Sequence, residues 1–373
     1  MPDINAHPTS RARSPRGAVK INGTLVDAWI SLEVDNNAFR AADTFRVEFA
    51  AYDLPAVTSI AWFSTQTSIE VELFATEDWT GTGAYYPAAS DRLILGQTDD
   101  IEFDPLAGTL SVSGRDLTAT LIDTKTNEGF LNKTASQIVA ILAGRHGLSP
   151  IATATTALVG TYYTQNHISQ TQERSEWDIL VELAEFEDFD VFVTARELHF
   201  QPKPKDSGNR YAIVYRLPGI DPVPSSNVST VRFDRSLTIA KGVVVTVRSW
   251  NAKQKKGFEA SWPKSPKATK PGQSGAADPI KYHYSIAGLT QDQAQQRAQR
   301  YYDQITKHMV TMSADLPADD LMSCSLVVQV RGTGTAWDQD YYPDSVKRSM
   351  SHDEGYRMTV TAKNISADVE AQS

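Results

Sequence analysis

The chain has 373 residues, 36 of them basic and 45 acidic, with a formal charge of −9 at pH 7 and 41% hydrophobic content. That length predicts two or three folded domains, and the composition excludes a disordered, collagen-like or low-complexity chain. The acidic balance disfavours tight nucleic-acid binding by the surface as a whole, because phosphate contacts need clustered Lys and Arg.

Residues 1–16 carry Arg11, Arg13 and Arg16 among Pro, Ser and Thr without an apolar run, which predicts a flexible arm and not a signal peptide. From Ala18 the pattern is that of strands. Trp29, Ser31, Glu33 and Asp35 alternate with Ile30, Leu32 and Val34, the period of two expected of a half-buried strand. Residues 45–49, 69–73, 92–97, 100–103 and 109–113 continue as short strands, with one helical interruption within 55–63. A set of this kind belongs in a barrel or sandwich.

The pattern changes after Gly114. Thr134 and Gln137 are spaced as a capping box, and Ile138, Ile141 and Leu142 form a helical stripe that Gly147 and Pro150 stop. A second helix opens at Ser175, with Trp177, Leu180, Val181 and Ala184 on one face, and leads into a hairpin of strands at 190–194 and 197–201. Strands return at 228–234, 243–248 and 258–262. A Lys/Pro/Gly-rich stretch at 263–279 reads as a long exposed loop. A helix over 291–308 and strands at 310–314, 325–330, 342–349 and 356–361 close the chain. The order is β-rich, then α+β, then β-rich. The predicted divisions are an arm (1–16), a first β-domain (17–114), a small α+β domain (115–205) and a second β-domain (206–373).

Chemistry-bearing motifs are sparse. The histidines, His7, His146, His167, His199, His283, His308 and His352, are too far apart for a helix to present two to a metal, so no metal site or cofactor is expected. There is no Gly-x-Ser-x-Gly elbow. Gly81-Thr82-Gly83 and Gly332-Thr333-Gly334 lack the lysine of a phosphate cradle and read as turns. Cys324 has no basic neighbour in sequence and reads as a structural thiol. The carboxylates Glu182, Glu185, Glu187, Asp188 and Asp190 run along one helix end, where a solvated or partner-facing patch is expected and not a catalytic pair. Asn22-Gly23-Thr24 matches a glycosylation sequon, which carries no weight without a secretory signal. The longest apolar stretch, 138–143, falls far short of the roughly 20 residues that span a bilayer, which predicts a soluble product without membrane anchoring.

Two stretches resemble a known family. One is Ser113-Gly114-Arg115-Asp116-Leu117-Thr118, followed by Asn132-Lys133-Thr134-Ala135-Ser136, Ala143-Gly144-Arg145-His146-Gly147-Leu148 and Glu176-Trp177-Asp178-Ile179-Leu180. The other is Gly332-Thr333-Gly334-Thr335-Ala336-Trp337-Asp338-Gln339-Asp340-Tyr341, leading to Gly355-Tyr356-Arg357-Met358-Thr359-Val360. In this order they resemble the phage late control protein D family, the baseplate hubs of Mu-like contractile tails. The same module opens type VI secretion spike proteins.

The resemblance implies a β-rich α+β chain with two β-barrel-like tube domains flanking a small α/β domain. It implies a structural role and no enzymatic one. Three copies would build a pseudo-sixfold ring joining the hexameric tail tube to a trimeric spike. The implied partners are further copies of the chain, the central spike protein, the tail tube or a tube-initiator protein, baseplate wedge proteins and the tape-measure protein. DNA is implied only in transit through the lumen. The implied location is the virion tail baseplate, after assembly in the bacterial host cytoplasm. The alternatives are a tail-tip hub of a non-contractile phage and a tail-associated cell-wall hydrolase.

Two groups of residues become candidates under that reading. Glu33, Asp35, Glu70 and Glu72 alternate on strands as lumen-facing carboxylates would. Residues 253–281 carry seven lysines against Glu259 and Asp278. Within this basic loop, Lys255, Lys256, Lys264, Lys267 and Lys270 are the candidates for docking onto an acidic neighbour.

Overall fold

The structure is a computed structural model that describes residues 13–38, 41–130, 132–159, 174–202, 210–216, 225–236, 242–251, 256–264, 280–286, 289, 291–306 and 310–364. Its first strands are β1 (Arg16–Ile21), β2 (Thr24–Val26), β3 (Trp29–Asn37), β4 (Thr44–Ala50), β5 (Glu70–Thr76), β6 (Arg92–Asp104) and β7 (Thr109–Asp116). Asn22 and Gly23 join β1 to β2 with φ of 47° and 79°, the two positive values that a two-residue hairpin turn requires. The sequon is therefore a turn. A short helix α1 (Ile60–Phe63) occupies the expected interruption. The segments 92–97 and 100–103 are one long strand, kinked where its register against β7 shifts between Thr98 and Asp100.

Leu32 and Val34 are buried as the alternation predicts, but Ile30 is 36% exposed. The pairing of β3 with β4 shifts between Trp29 and Ser31, and that irregularity moves Ile30 off the buried side.

Between β7 and the later strands lies an α+β unit: helices α2 (Thr118–Asp123), α3 (Ala135–Arg145) and α4 (Glu176–Glu187), with strands β8 (Lys125–Thr126), β9 (Ser149–Ala152), β10 (Arg174–Ser175), β11 (Phe189–Thr194) and β12 (Glu197–Pro202). The capping box at Thr134 is present: the Thr134 hydroxyl accepts from the Gln137 N–H at 3.4 Å, and the Gln137 side chain accepts from the Thr134 N–H at 3.1 Å. Ser175 and Asp178 cap α4 in the same way, at 3.0 and 3.3 Å. Leu121, Ile138, Leu142, Leu180 and Phe200 fill a core of this unit's own.

The remaining strands are β13 (Arg210–Arg216), β14 (Ser225–Ser226), β15 (Thr230–Arg235), β16 (Val243–Asn251), β17 (Lys256–Trp262), β18 (Ile280–Ser285), β19 (Val310–Pro317), β20 (Val327–Arg331), β21 (Asp340–Ser351) and β22 (Gly355–Lys363), with helix α5 (Gln291–Thr306). β17, β16 and β18 form a separate three-stranded sheet, on which Ala294 and Ala298 of α5 pack against Val243, Val245 and Val247. Arg300 of α5 donates to the carbonyl of Glu185 at 2.6 Å, tying this unit to the end of α4.

The other late strands join the first seven in one 14-stranded sheet. β21 pairs antiparallel with β3, setting Met350 opposite Leu32 and Val346 opposite Asn36. One hydrophobic core therefore holds Val34, Phe45 and Val47 together with Met312, Val346, Met358 and Val360. No helix among the described residues is long and apolar enough to cross a membrane.

Candidate functional site

Eight strands of the large sheet run consecutively in the order β15-β19-β22-β21-β3-β4-β7-β6, each antiparallel to the next. Their side chains sort by period two. One face supplies the core. The other carries Thr230 and Arg232, Ser313 and Asp315, Arg357 and Thr359, Lys347 and Ser349, Glu33 and Asp35, Arg46 and Glu48, Ser111 and Ser113, and Asp100 and Glu102, strand by strand. This broad polar face is the candidate site.

Hydrogen bonds and ion pairs brace it across the strands. Asp315 accepts from Thr230 at 2.6 Å and from Thr359 at 2.7 Å, and these bonds hold its carboxyl below the usual range. Lys347 pairs with Glu33 at 2.7 Å and Arg46 with Glu102 at 3.6 Å. Arg115 reaches Asp99 at 2.7 Å and Asp123 at 2.9 Å, linking the sheet to α2. The surface mixes both signs of charge.

The four candidate lumen carboxylates do not form one group. Glu33 and Asp35 stand on the polar face. Glu70 lies beyond β6 on β5, ion-paired with Arg196 in the β11–β12 turn. Glu72 is 9% exposed and pairs with Arg92 at 2.8 Å, so its charge is turned to that arginine and not to open solvent. Of the basic loop, Lys264 is exposed after β17 and Lys256 lies within β17. Lys255, Lys267 and Lys270 lie outside the described residues.

The carboxylate patch is only partly solvated. Glu182 pairs with Arg174 at 2.6 Å on the surface, whereas Asp190 is 7% exposed on the face of β11 opposite the core residues Val191 and Val193. Cys324 donates to the carbonyl of Asn36 at 3.3 Å, and burial pushes its thiol up to about 12, which suits a structural thiol.

Sequence reasoning missed three buried polar clusters. Glu176, 1% exposed, accepts from Arg145 at 2.8 Å and lies 2.6 Å from His146. Asp319 accepts from Tyr211 at 2.5 Å, and burial with that bond holds the phenol well above its usual range. Arg348, 6% exposed, donates to Asn36 at 3.2 Å and to the carbonyls of Met322 and Asp319. It borders a cleft of about 560 Å³ where β3, β6, the β11–β12 hairpin and residues 320–325 meet. Asp43 and Asp116 line the same cleft, with carboxyls that burial raises to about 6 and about 8. Asp116, Arg145, His146 and Glu176 lie in the quoted motifs, but only the tertiary contacts show what each of them faces.

No family description and no curated protein matches this sequence. Solved structures do match in fold. A 43 kDa tail protein of prophage MuSo2 from Shewanella oneidensis aligns with a TM-score of 0.65 at 17% identity, covering 95% of this chain and 99% of its own. A tail protein from Neisseria meningitidis MC58 aligns with a TM-score of 0.67 at 14% identity, covering 95% and 98%. A component of the E. coli type VI secretion system aligns with a TM-score of 0.52 at 13% identity, covering 95% and 79%. The chain has the β-rich fold of these phage tail and secretion proteins, in line with the family resemblance of its motifs.

Proposed function

We propose that the chain is a structural baseplate hub subunit of a phage-like contractile tail. Three copies form a ring that joins the tail tube to a central spike. The observation that carries this reading is the eight-stranded sheet, which keeps one face polar and, among the described residues, leaves β15 at one end and the Asp100–Asp104 part of β6 at the other without an outer strand. A long free edge on a monomer invites uncontrolled pairing, and closure into a ring removes it. The polar face then lines a channel, with Glu33 and Asp35 among its carboxylates and Lys347 and Arg46 beside them. Cations neutralised in this way hold phosphate weakly, which suits passage of DNA or a tape-measure protein.

The role is structural and not catalytic, and the location is the tail baseplate of a virion assembled in the host cytoplasm. The partners are the spike, the tube or its initiator, and the wedge proteins. The lysines of residues 253–281 are the contact offered to an acidic neighbour. The shared fold with tail proteins supports the reading, as do the ordered motifs. Sedimentation and cryo-EM of the purified chain test it. The expected particle is a ring with a central opening at three times the 41.0 kDa chain mass. A strict monomer well above micromolar concentration, with the spike protein added, overturns it.

A further inference from the structure

The two outer strands of the eight differ in chemistry. β6 runs past the end of β5, whose pairing stops at Glu70 opposite Gln97. Among the described residues no strand covers the outer side of Asp100–Asp104, and none covers the outer side of β15. On β6 the core-side residues Ile101 and Phe103 are 37% and 38% exposed, and Asp100 and Glu102 face the polar side. On β15 the core-side residues are Val231 and Phe233, both half-buried, and Arg232 faces the polar side. One edge is acidic around an apolar pair, and the other presents an arginine between two apolar side chains.

We propose that β6 of one copy pairs antiparallel with β15 of the next, with Ile101 opposite Phe233, Glu102 opposite Arg232 and Phe103 opposite Val231. This rests on the ring reading and specifies which edges close it and in what register. Strand direction requires the antiparallel sense. The eight strands alternate, so β6 and β15 run in opposite directions, and a rotation about an axis along the strands preserves both directions.

Register follows from side-chain period. A slip of one residue sets Ile101 against Arg232 and reverses every inward side chain. A slip of two in either direction leaves only one of the two apolar pairs matched. Pairing β6 with a second β6 centred on Ile101 opposes Asp100 to Glu102, and like charges directly opposite are unfavourable. The existing Glu102–Arg46 contact, long at 3.6 Å and exposed at both ends, does not hold Glu102 back from a new partner. The chosen register has one conflict: Asp100 faces Asp234.

Cross-linking the full chain tests this in a Cys324→Ser background. Glu102→Cys with Arg232→Cys should give intermolecular disulfides up to the trimer within the ring. Glu102→Cys with Thr230→Cys or with Asp234→Cys should give at least tenfold less, since diagonal positions lie beyond disulfide reach. Glu102→Arg should weaken ring formation at least tenfold, and adding Arg232→Glu should restore it. Asp100→Asn should strengthen the ring. If wild-type rings form but a shifted cysteine pair links in place of Glu102–Arg232, or if Glu102→Arg assembles normally, this register is wrong while the hub reading stands. If wild-type chains form no ring at all, both fall.

Discussion

Lys347 reaches Glu33 at 2.7 Å across the seam between β21 and β3, where the two ends of the chain become one sheet. Both side chains are partly exposed, so the pair adds little, whereas Leu32 directly beneath is 1% exposed. Lys347→Ala should cost about 0–1 kcal/mol and Leu32→Ala about 2–5 kcal/mol. Because the core is shared, Leu32→Ala should lower the melting of early and late strands together. Urea titrations of both variants, read by hydrogen exchange in β4 and in β22, check this. Separate transitions for the two strands would contradict a common core.

Arg348 is held by carbonyls and by Asn36 beneath the same seam. Bonds from a charged donor of this kind are worth about 1.5–3 kcal/mol each. Arg348→Ala should destabilise the fold strongly, because those acceptors lose their partner and the stem leaves a cavity. Arg348→Met keeps the packing of the stem and should cost measurably less. Equal losses in the two variants, measured by thermal unfolding, would mean that the stem contributes nothing.

Asp43 and Asp116 give a pH dependence of definite sign. Their carboxyls titrate at about 6 and about 8 in the folded chain because burial disfavours the charge. In the unfolded chain they titrate near about 3.9. Between those values the folded state holds more protons, so their contribution is full below about pH 4 and falls as pH rises towards 8. Asp116→Asn removes the larger part of that loss. Its stability relative to wild type should rise from pH 5 to pH 8.5, on the order of a few kcal/mol at most. Denaturant midpoints across that range measure it, and a flat difference would sink the assignment.

Gly114 lies where β6 and β7 approach closely. A Cβ there would sit 2.0 Å from the Gln97 carbonyl oxygen, which is backbone and cannot rotate away. Gly114→Ala should cost about 1–3 kcal/mol and loosen the kink that sets the course of β6. If the β6 edge closes the ring, the same variant should also weaken assembly. Mass photometry beside a thermal melt separates the two effects.

Local patterns in the sequence determined most strands, both helix caps and the β, α+β, β order, because alternation, capping and turn preference act over a few residues. The Thr134–Gln137 box and the Asn22-Gly23 turn need no distant partner. The motif Ser113-Gly114-Arg115-Asp116 was visible too, although its reasons were not: Gly114 answers to Gln97, Arg115 to Asp99 and Asp123, and Asp116 to burial beside Asp43. Tertiary structure alone decided that β21 lies against β3, more than 300 residues away along the chain, as the Arg348–Asn36 bond also records. That pairing put Arg348 on the buried side, and the order β3-β4-β7-β6-β5 separated Glu33 and Asp35 from Glu70 and Glu72. The length of β6 beyond β5 left Asp100–Asp104, like β15, without an outer strand among the described residues. The physical reason is range: side-chain period says which way a residue points within its strand, but only the order of strands in the assembled sheet says which strand is last.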